Sequence, residues 1–449
     1  MLLLADIVLA DKDLYTQRLP IPTKKAEIGS GDWRMAELDF YPIDVTYKVE
    51  RAAIGVSDTA ATAAAAEDSL NTQHPIIELY GRGIAENGQL RQVCVRYTGF
   101  QPYFWVIPTA EPEEASQQLQ QIKAENPELK VTGTEVHTKS YFGKEVKAVK
   151  VMVNIPAAVP QLREKAKSYG TVLEADIPFT KRFVIDKRVL PLALYKAEVT
   201  PLTPAAAAEG ERKGRVPTYA TQMLSQASED MHALRILAID IETHNPLGKT
   251  MRPEEHPIIM AALCGEGFRK VLTWKKFPTQ LDYIEFVNSE VELLERIKHY
   301  IEQYEPDILT GYFSDVFDLP YIRSRAERYK IKLDLGLDGS QPRIEKTAAN
   351  TTTEITGIIH IDIFKFIRKV MRTSLQTAVY DLASVAKELL NETKNAVDID
   401  KLYIAWDNHH GEQLESYCAY NMQDAQLTLN LCKKVLPNVM ELTRTIGLP

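Results

Sequence analysis

The sequence predicts an α+β domain followed by an α/β domain. Three observations carry that reading. From His74 to Tyr169, short strand-like and helix-like patterns alternate. Residues 198–230 then bring Pro, Ala, Gly and charge with no apolar period. Beyond them, Ile236–Asp240 is an apolar run ending in a carboxylate, the pattern of a buried strand, and it opens a second series of elements. A length of 449 residues suits two to three domains.

Taken in order, Tyr41–Lys48 reads as a strand within a mixed opening stretch. Residues 49–73, rich in Ala, Thr and Ser, could form a short helix over Ala60–Ala66 but read better as a surface insertion. Two strands, over Ile76–Gly83 and Val93–Tyr97, flank a turn at Asn87-Gly88. Phe100–Val106 is an aromatic strand interrupted by Pro102. Ser116–Glu125 is a helix, Val149–Val153 a strand and Ala158–Tyr169 an amphipathic helix. The front domain is expected over 1–197, with 198–230 as linker or surface loop.

In the second domain, expected over 231–435, Ile258–Cys264 and Lys270–Trp274 extend the opening strand into a meander. Ser289 and Glu292 form a capping-box pattern before a helix with Leu293, Leu294, Ile297, Tyr300 and Ile301 on one face. Asp307–Tyr312 is a short buried strand. Ile358–Phe364 is another, read as the second arm of a hairpin begun near Ile344. Tyr380–Leu390 is a helix. A last long helix carries Leu414, Cys418, Met422, Ala425, Leu429 and Cys432 at helical spacing.

Composition narrows the function. A content of 45% hydrophobic and 25% charged residues is that of a soluble globular protein. No run reaches transmembrane length, and Met1–Ala10 lacks a basic start, so neither a span nor a signal peptide is expected. Four scattered cysteines without a C-x-x-C pair indicate neither disulfides nor zinc and fit a cytoplasmic setting. A net charge of -8 argues against a surface that grips nucleic acid all over, but allows a local basic channel.

The chemistry centres on carboxylates. Asp240 and Glu242 are two apart at a strand end and therefore point the same way. Two carboxylates on one face are costly unless a cation neutralises them, and Mg²⁺ or Mn²⁺ suits oxygen ligands. Asp318 follows the Asp307–Tyr312 strand. Tyr420 and Asp424 share one face of the last helix, with Asp424 where the apolar stripe would otherwise continue. Taken singly, each carboxylate reads more simply as a cap or surface group, and Tyr420 as packing.

In this order, D-x-E on a strand, then Phe-Asp, then Tyr-x-x-x-Asp on a late helix resemble the motifs of the DEDDy exonucleases. The match is nearest to the proofreading domain of archaeal family B DNA polymerases. Asp176–Lys187, Pro306–Ile322, Lys332–Pro342, Gly357–Arg368 and Leu436–Pro449 resemble the same family, whose likeness runs from about Pro75 to the end. Residues 49–73 and 198–230 look like insertions, and 436–449 like the start of a segment returning to the front domain. Phe313 stands where the family usually has an Asn that helps hold the DNA strand. The family's palm motifs do not occur.

The resemblance implies an RNase H-like exonuclease domain behind a family B N-terminal α+β domain, with two Mg²⁺ or Mn²⁺ ions. It implies that Asp240, Glu242 and Asp424 hold one ion, that Asp240 and Asp318 hold the other, and that Tyr420 orients water. It also implies a template-uracil pocket in the front domain, matching Tyr47, Pro102, Tyr103, Pro156, Val159, Arg163, Phe179 and Arg182, whose simpler reading is packing and ion pairing. The implied partners are DNA, a separate polymerase fragment and, through it, a sliding clamp; no membrane is implied. The leading reading is the 3′–5′ proofreading half of a polymerase, unable to polymerise by itself. A DNA-binding scaffold with an idle nuclease is the alternative, and a free-standing repair nuclease is the third reading.

Overall fold

A computed structural model describes residues 36–51, 73–85, 88–202, 216–229, 232–246, 248, 250–347, 350–395 and 397–446. Residues 52–72 of the insertion expected at 49–73, and Asn87 of the expected turn, lie outside these residues, while 49–51 and 73 belong to strands. The described chain divides into two compact units, one holding residues 36–202 and 217–229, the other 232–445.

The N-terminal unit has two sheets. Its elements are β1 (Ala36–Arg51), β2 (Gln73–Ile84), β3 (Leu90–Tyr97), β4 (Tyr103–Pro108), α1 (Pro112–Gln120), β5 (Val131–Tyr141), β6 (Lys144–Val153), α2 (Ala158–Ala166), β7 (Gly170–Leu173), α3 (Phe179–Lys187), β8 (Leu194–Pro201), β9 (Thr218–Thr221) and β10 (Leu224–Ser228). The first sheet runs β1-β2-β3-β9-β8-β10, and β1 also pairs with β8, so five strands close on themselves around Phe40, Ile77, Leu79, Val95 and Phe183. The second runs β5-β6-β4-β7 and packs Phe104, Val149 and Val151 against Leu119 of α1 and Leu162 of α2. Its chain order, β-α-β-β-α-β, is that of a split βαβ unit, an arrangement within the expected α+β class.

Several expectations shift. Strand β4 starts after Pro102, not at Phe100, because Pro102 brings no N–H to the ladder. Helix α1 starts at Pro112, a residue suited to the first helical position, and ends at Gln120, not Glu125. Strand β5 was not expected, since its residues are mostly exposed and carry no apolar alternation. It is held as a hairpin arm of β6 through Phe142 and Gly143, both at positive φ, 48° and 76°, as the tight primed turn requires. The stretch expected as linker contains the end of β8 and all of β9 and β10. These short polar strands borrow their order from the sheet, with Tyr219 and Leu224 packed on its core.

The C-terminal unit contains β11 (Ile236–Thr243), β12 (Ile258–Gly265), β13 (Phe268–Thr273), β14 (Ile284–Phe286), α4 (Glu290–Tyr304), β15 (Ile308–Gly311), α5 (Asp318–Arg328), β16 (Arg343–Lys346), β17 (Thr351–Glu354), β18 (Ile359–Asp362), α6 (Ile363–Phe366) running into a π turn at Ile367–Met371, α7 (Leu382–Leu390), α8 (Leu402–Asp407) and α9 (Gly411–Ile446). One mixed sheet runs β14-β13-β12-β11-β15-β18. The meander β11-β12-β13 is antiparallel, while β15 and β18 join parallel to β11. Strand β11 therefore lies inside the sheet, which explains its apolar run.

Ser289 caps α4, accepting from the Glu292 N–H at 3.3 Å, while the Glu292 carboxylate reaches the N–H of Asn288 at 2.8 Å. The hairpin begun near Ile344 is completed by β17, not by Ile358–Phe364. That segment supplies β18, which pairs with β15, and then α6. Helix α7 starts at Leu382, not Tyr380, because Asp381 is its cap and accepts from the Ser384 N–H. Residues 436–446, expected as the start of a returning segment, continue α9 through Pro437. The six apolar residues expected on one face of this helix are all buried.

Candidate active site

Strand β11 alternates faces. Leu237, Ile239 and Ile241 are buried on one side; on the other, Asp240 and Glu242 keep part of their surface open. A bulge in the β11–β12 pairing falls at Glu242/Thr243, where the strand leaves the sheet. Helix α9 brings Asp424 to the same place. Ligand oxygens of Asp240, Glu242 and Asp424 lie within 4.8 Å of one another.

Asp318 stands at the first turn of α5 and is buried. Its Oδ1 accepts the Ile241 N–H at 3.2 Å, which ties it to the strand between Asp240 and Glu242. It lies outside the trio but within its field. The turn that delivers it is tight. A Cβ on Gly311 would stand 2.4 Å from the Ser314 Cβ, so only glycine lets residues 312–318 fold back onto β15. Asp362 clamps the turn, accepting the N–H groups of Phe313 and Asp315, each at 3.0 Å.

Burial is the first cause of every shift here. It raises Glu242 to about 8, helped by the negative charge of Asp424 and eased by Lys394. It raises Asp318 to about 7 despite the Ile241 hydrogen bond. Asp240 is pushed well up by burial and then by the charges of Asp424, Asp318 and Glu242. Asp424 is raised by burial, with Lys394 opposing. Four carboxylates that resist ionisation together want positive charge.

The residues fit a divalent cation by a second observation. Among the described residues, Asp424 Oδ1 is buried and has no hydrogen-bond partner. An acceptor left bare in this way is what an oxygen-seeking ion would use. Its other oxygen, Oδ2, accepts from Lys394 Nζ at 2.8 Å.

Two residues of the site were missed by sequence reasoning. Lys394, on the stretch after α7, also donates to the Tyr420 hydroxyl at 2.6 Å and lies 4.1 Å from that ring's centroid. Nothing in a polar loop marks such a lysine. Asn421 is fully buried and donates to Asp240 Oδ2 at 2.6 Å. A buried amide beside Asp424 on the apolar side of α9 was a signal that could have been read. The Tyr420 hydroxyl is raised by burial, with the Lys394 hydrogen bond opposing, so it stays neutral.

Phe313 is 40% exposed and sits at φ 69°, a left-handed conformation unusual for a side chain of this size. The residues matched to a uracil pocket are spread over several elements of the N-terminal unit. Tyr47 on β1 meets the Phe179 ring edge-on at 5.4 Å. Buried Arg182, on α3 with Phe179, donates to Glu174 Oε2 at 2.7 Å and to the Tyr103 hydroxyl at 3.3 Å. Tyr103 in turn donates to Asp186 at 2.6 Å. Pro102 is buried and its carbonyl accepts from Val153 at 2.9 Å. Half-buried Pro156, Val159 and Arg163 lie at and on α2; Val159 packs on the second sheet's core, and Arg163 reaches the Ala175 carbonyl at 3.5 Å.

Comparison with known proteins completes the picture. Residues 170–385 match the family described as DNA polymerase family B, exonuclease domain. That span includes Asp240, Glu242 and Asp318 and stops short of Tyr420 and Asp424. The chain is 31% identical over 380 residues to a DNA polymerase of Pyrococcus horikoshii, covering 84% of this chain and 26% of that protein. It is 30% identical over 380 residues to one of Pyrococcus glycovorans, covering 84% and 42%. The family B DNA polymerase structure from Pyrobaculum calidifontis superposes with a TM-score of 0.69 at 23% identity, over 92% of this chain and 47% of that one. The chain thus spans less than half the length of these relatives.

Proposed function

Through its exonuclease domain this chain belongs to the family B DNA polymerases, and we propose that it removes nucleotides from the 3′ end of DNA by cation-assisted hydrolysis, as a proofreading nuclease. The observation that carries the proposal is the bare, buried Asp424 Oδ1 within a trio of carboxylates whose proton affinities are all raised. The C-terminal unit has the RNase H-like fold of this domain.

Asp240, Glu242 and Asp424 would hold one divalent ion, and Asp240 with Asp318 a second. Two such ions supply activation of water and stabilisation of the leaving 3′ oxygen. The chain's own residues do the rest. Asn421 fixes the Asp240 carboxylate by its 2.6 Å hydrogen bond, so the strand-borne ligand does not swing. Asp318 is held by Ile241 and delivered by a clamped turn. Tyr420, neutral and oriented by Lys394, can direct the lone pair of an attacking water but is no strong base.

A mispaired 3′ end unpairs at lower cost and reaches such a site more often. For the N-terminal unit we propose capture of template uracil near Tyr47, Phe179 and Arg182, supported by Tyr47 on β1 meeting Phe179 on α3 and by Arg182 on α3 bonding Tyr103 on β4.

The test is digestion of a 5′-labelled single strand. Wild-type protein with Mg²⁺ or Mn²⁺ is expected to give a ladder shortened from the 3′ end, and EDTA or Asp318→Ala to stop it. A wild type that binds the strand and never cuts it would establish the scaffold reading instead. A tighter hold on uracil-containing than on thymine-containing template, lost in Tyr47→Ala, is the expectation for the front unit.

A further inference from the structure

Between the turn that delivers Asp318 and the β16–β17 hairpin lies a largely buried polar cluster that the chemistry does not use: Ser314, Asp315, Thr353, His360 and Lys365. We propose that Asp315 is a positioning residue for Asp318, and that through it the hairpin sets how firmly the site holds its second ion. The inference rests on the nuclease reading and extends it to an element that supplies no ligand.

Asp315 is a junction. Its N–H donates to Asp362 Oδ2 at 3.0 Å. Its Oδ1 accepts the Thr353 N–H at 2.6 Å and faces His360 Nδ1 at 3.2 Å. Its Oδ2 accepts from Lys365 Nζ at 2.5 Å, and the same Nζ donates to the Thr351 carbonyl at 2.8 Å. One carboxylate thus joins the turn to β17, β18 and α6. Burial would raise it, but the bonds from His360 and Lys365 outweigh burial and hold it at about 2. At neutral pH these ties are therefore charge-assisted.

The link to Asp318 runs through the start of α5. His360 Nε2 meets the Ser314 hydroxyl at 2.9 Å. The Ser314 carbonyl accepts the N–H of Leu319, the residue after Asp318, at 3.1 Å. Ser314 and Asp315 together fix the helix start from which Asp318 reaches the Ile241 N–H.

The link to the hairpin is one bond. Thr353 faces Ile344 in the hairpin register, but its N–H leaves the ladder for Asp315. Along an antiparallel strand, successive N–H groups point to opposite sides. Strand β17 can therefore lose this bond and keep its pairing with β16.

The Ile241 amide reports the outcome. Strand β15 pairs with β11 at Ile236, Leu237 and Ala238, and beyond that ladder the Ile241 N–H is held by Asp318. Loosening Asp318 frees this amide to exchange.

The experiment measures hydrogen exchange at Ile241 in the full chain, in EDTA. Asp315→Ala and Thr353→Pro should each speed it by about tenfold, the effect of losing one hydrogen bond, while the Leu237 amide exchanges as in wild type. Proline suits a strand position whose N–H lies outside the ladder, so Thr353→Pro cuts the hairpin's bond alone. Asp315→Asn keeps an acceptor for Thr353 and should fall between. Arg343→Ala removes exposed ion pairs to Glu345 and Glu354 within the hairpin and should change nothing. In turnover, the Mg²⁺ concentration at half-maximal rate should rise about 10–100-fold in Asp315→Ala and Thr353→Pro, with kcat at saturating metal nearly kept. A merely structural role would lower the melting temperature and leave both readouts alone. Wild-type exchange at Ile241 in folded Thr353→Pro, or an unmoved Mg²⁺ curve, overturns the proposal. Faster exchange in a chain that binds DNA and never cuts it would keep the positioning of Asp318 and defeat the nuclease reading.

Discussion

Two of the places where the C-terminal unit buries charge treat it in opposite ways. Glu290 and Arg325 are both buried and matched one to one. Arg325 Nε donates to Glu290 Oε1 at 2.7 Å, and its NH1 to the Pro253 carbonyl at 2.7 Å. Glu290 also takes the Ile258 N–H and the Tyr329 hydroxyl, each at 2.8 Å. At the other place, Asp240, Glu242 and Asp424 gather with Asp318 tied to the same strand, Lys394 pairs with Asp424, and among the described residues Asp424 Oδ1 is buried and bare. Buried charge that is matched holds a fold together, whereas buried charge in surplus is a site made for something that arrives later.

The comparison breaks most sharply at Asp424. Asp424→Asn should lower turnover by about a thousandfold or more, equivalent to about 4 kcal/mol. The same change should raise the melting temperature of the metal-free protein, because it removes a repelling charge. A variant that loses activity and also melts lower would mean that Asp424 is structural in the way Glu290 is.

Arg325→Met should do the reverse. It leaves Glu290 buried without its cation, at a cost of about 3–5 kcal/mol. Denaturant unfolding would show the loss, while the folded fraction should cut a labelled strand at near wild-type rate. A large fall in turnover per folded molecule would erase the distinction between the two clusters.

This contrast was half legible in the sequence. Asp240 and Glu242 could be paired from strand periodicity, and Tyr420 with Asp424 from helix spacing, because both relations are local. Arg325 and Glu290 are partners across two helices, and no pattern in either helix announces the other. Lys394 was invisible for the same reason. Strands β5, β9 and β10 were missed because a polar strand in a closed sheet takes its order from neighbours, not from its own apolar alternation. Residue Phe313 was noticed as a departure, but its positive φ depends on Gly311, Asp362 and a turn closed only in three dimensions.

A smaller effect sharpens the site from within. Asn421→Ala frees the Asp240 carboxylate without removing a ligand, so activity at limiting Mg²⁺ should fall by about 10–100-fold. Excess metal should recover most of it, since the loss lies in affinity and orientation. Titration of turnover against Mg²⁺ separates this from Asp424→Asn, which metal should not rescue. Equal curves for Asn421→Ala and wild type would reduce Asn421 to packing.

The last effect is a pH dependence that the surplus charge should impose on stability. Glu242 is raised from 4.5 to about 8 and Asp318 from 3.8 to about 7 in the folded, metal-free chain, burial being the first cause. The unfolded chain loses these protons at lower pH than the folded one. Across about pH 4–8 the folded state therefore binds more protons, and its stability falls as pH rises, levelling above about 8. Asp315 behaves in the opposite sense. Burial would raise it, but hydrogen bonds from His360 and Lys365 win and hold it at about 2. Its stabilisation is complete above 3.8 and is lost only as pH falls towards 2, so it is constant in the window that matters. In EDTA the melting temperature of this unit should drop between pH 5 and 8, by on the order of 2–4 °C for each kcal/mol lost. Mn²⁺ should restore it, more at pH 8 than at pH 5, because the carboxylates that bind the ion are then freer of protons. Glu242→Gln combined with Asp318→Asn should flatten the metal-free profile. A wild-type melting temperature that stays level or climbs from pH 5 to 8 in EDTA would show that the surplus charge is already neutralised by the fold itself.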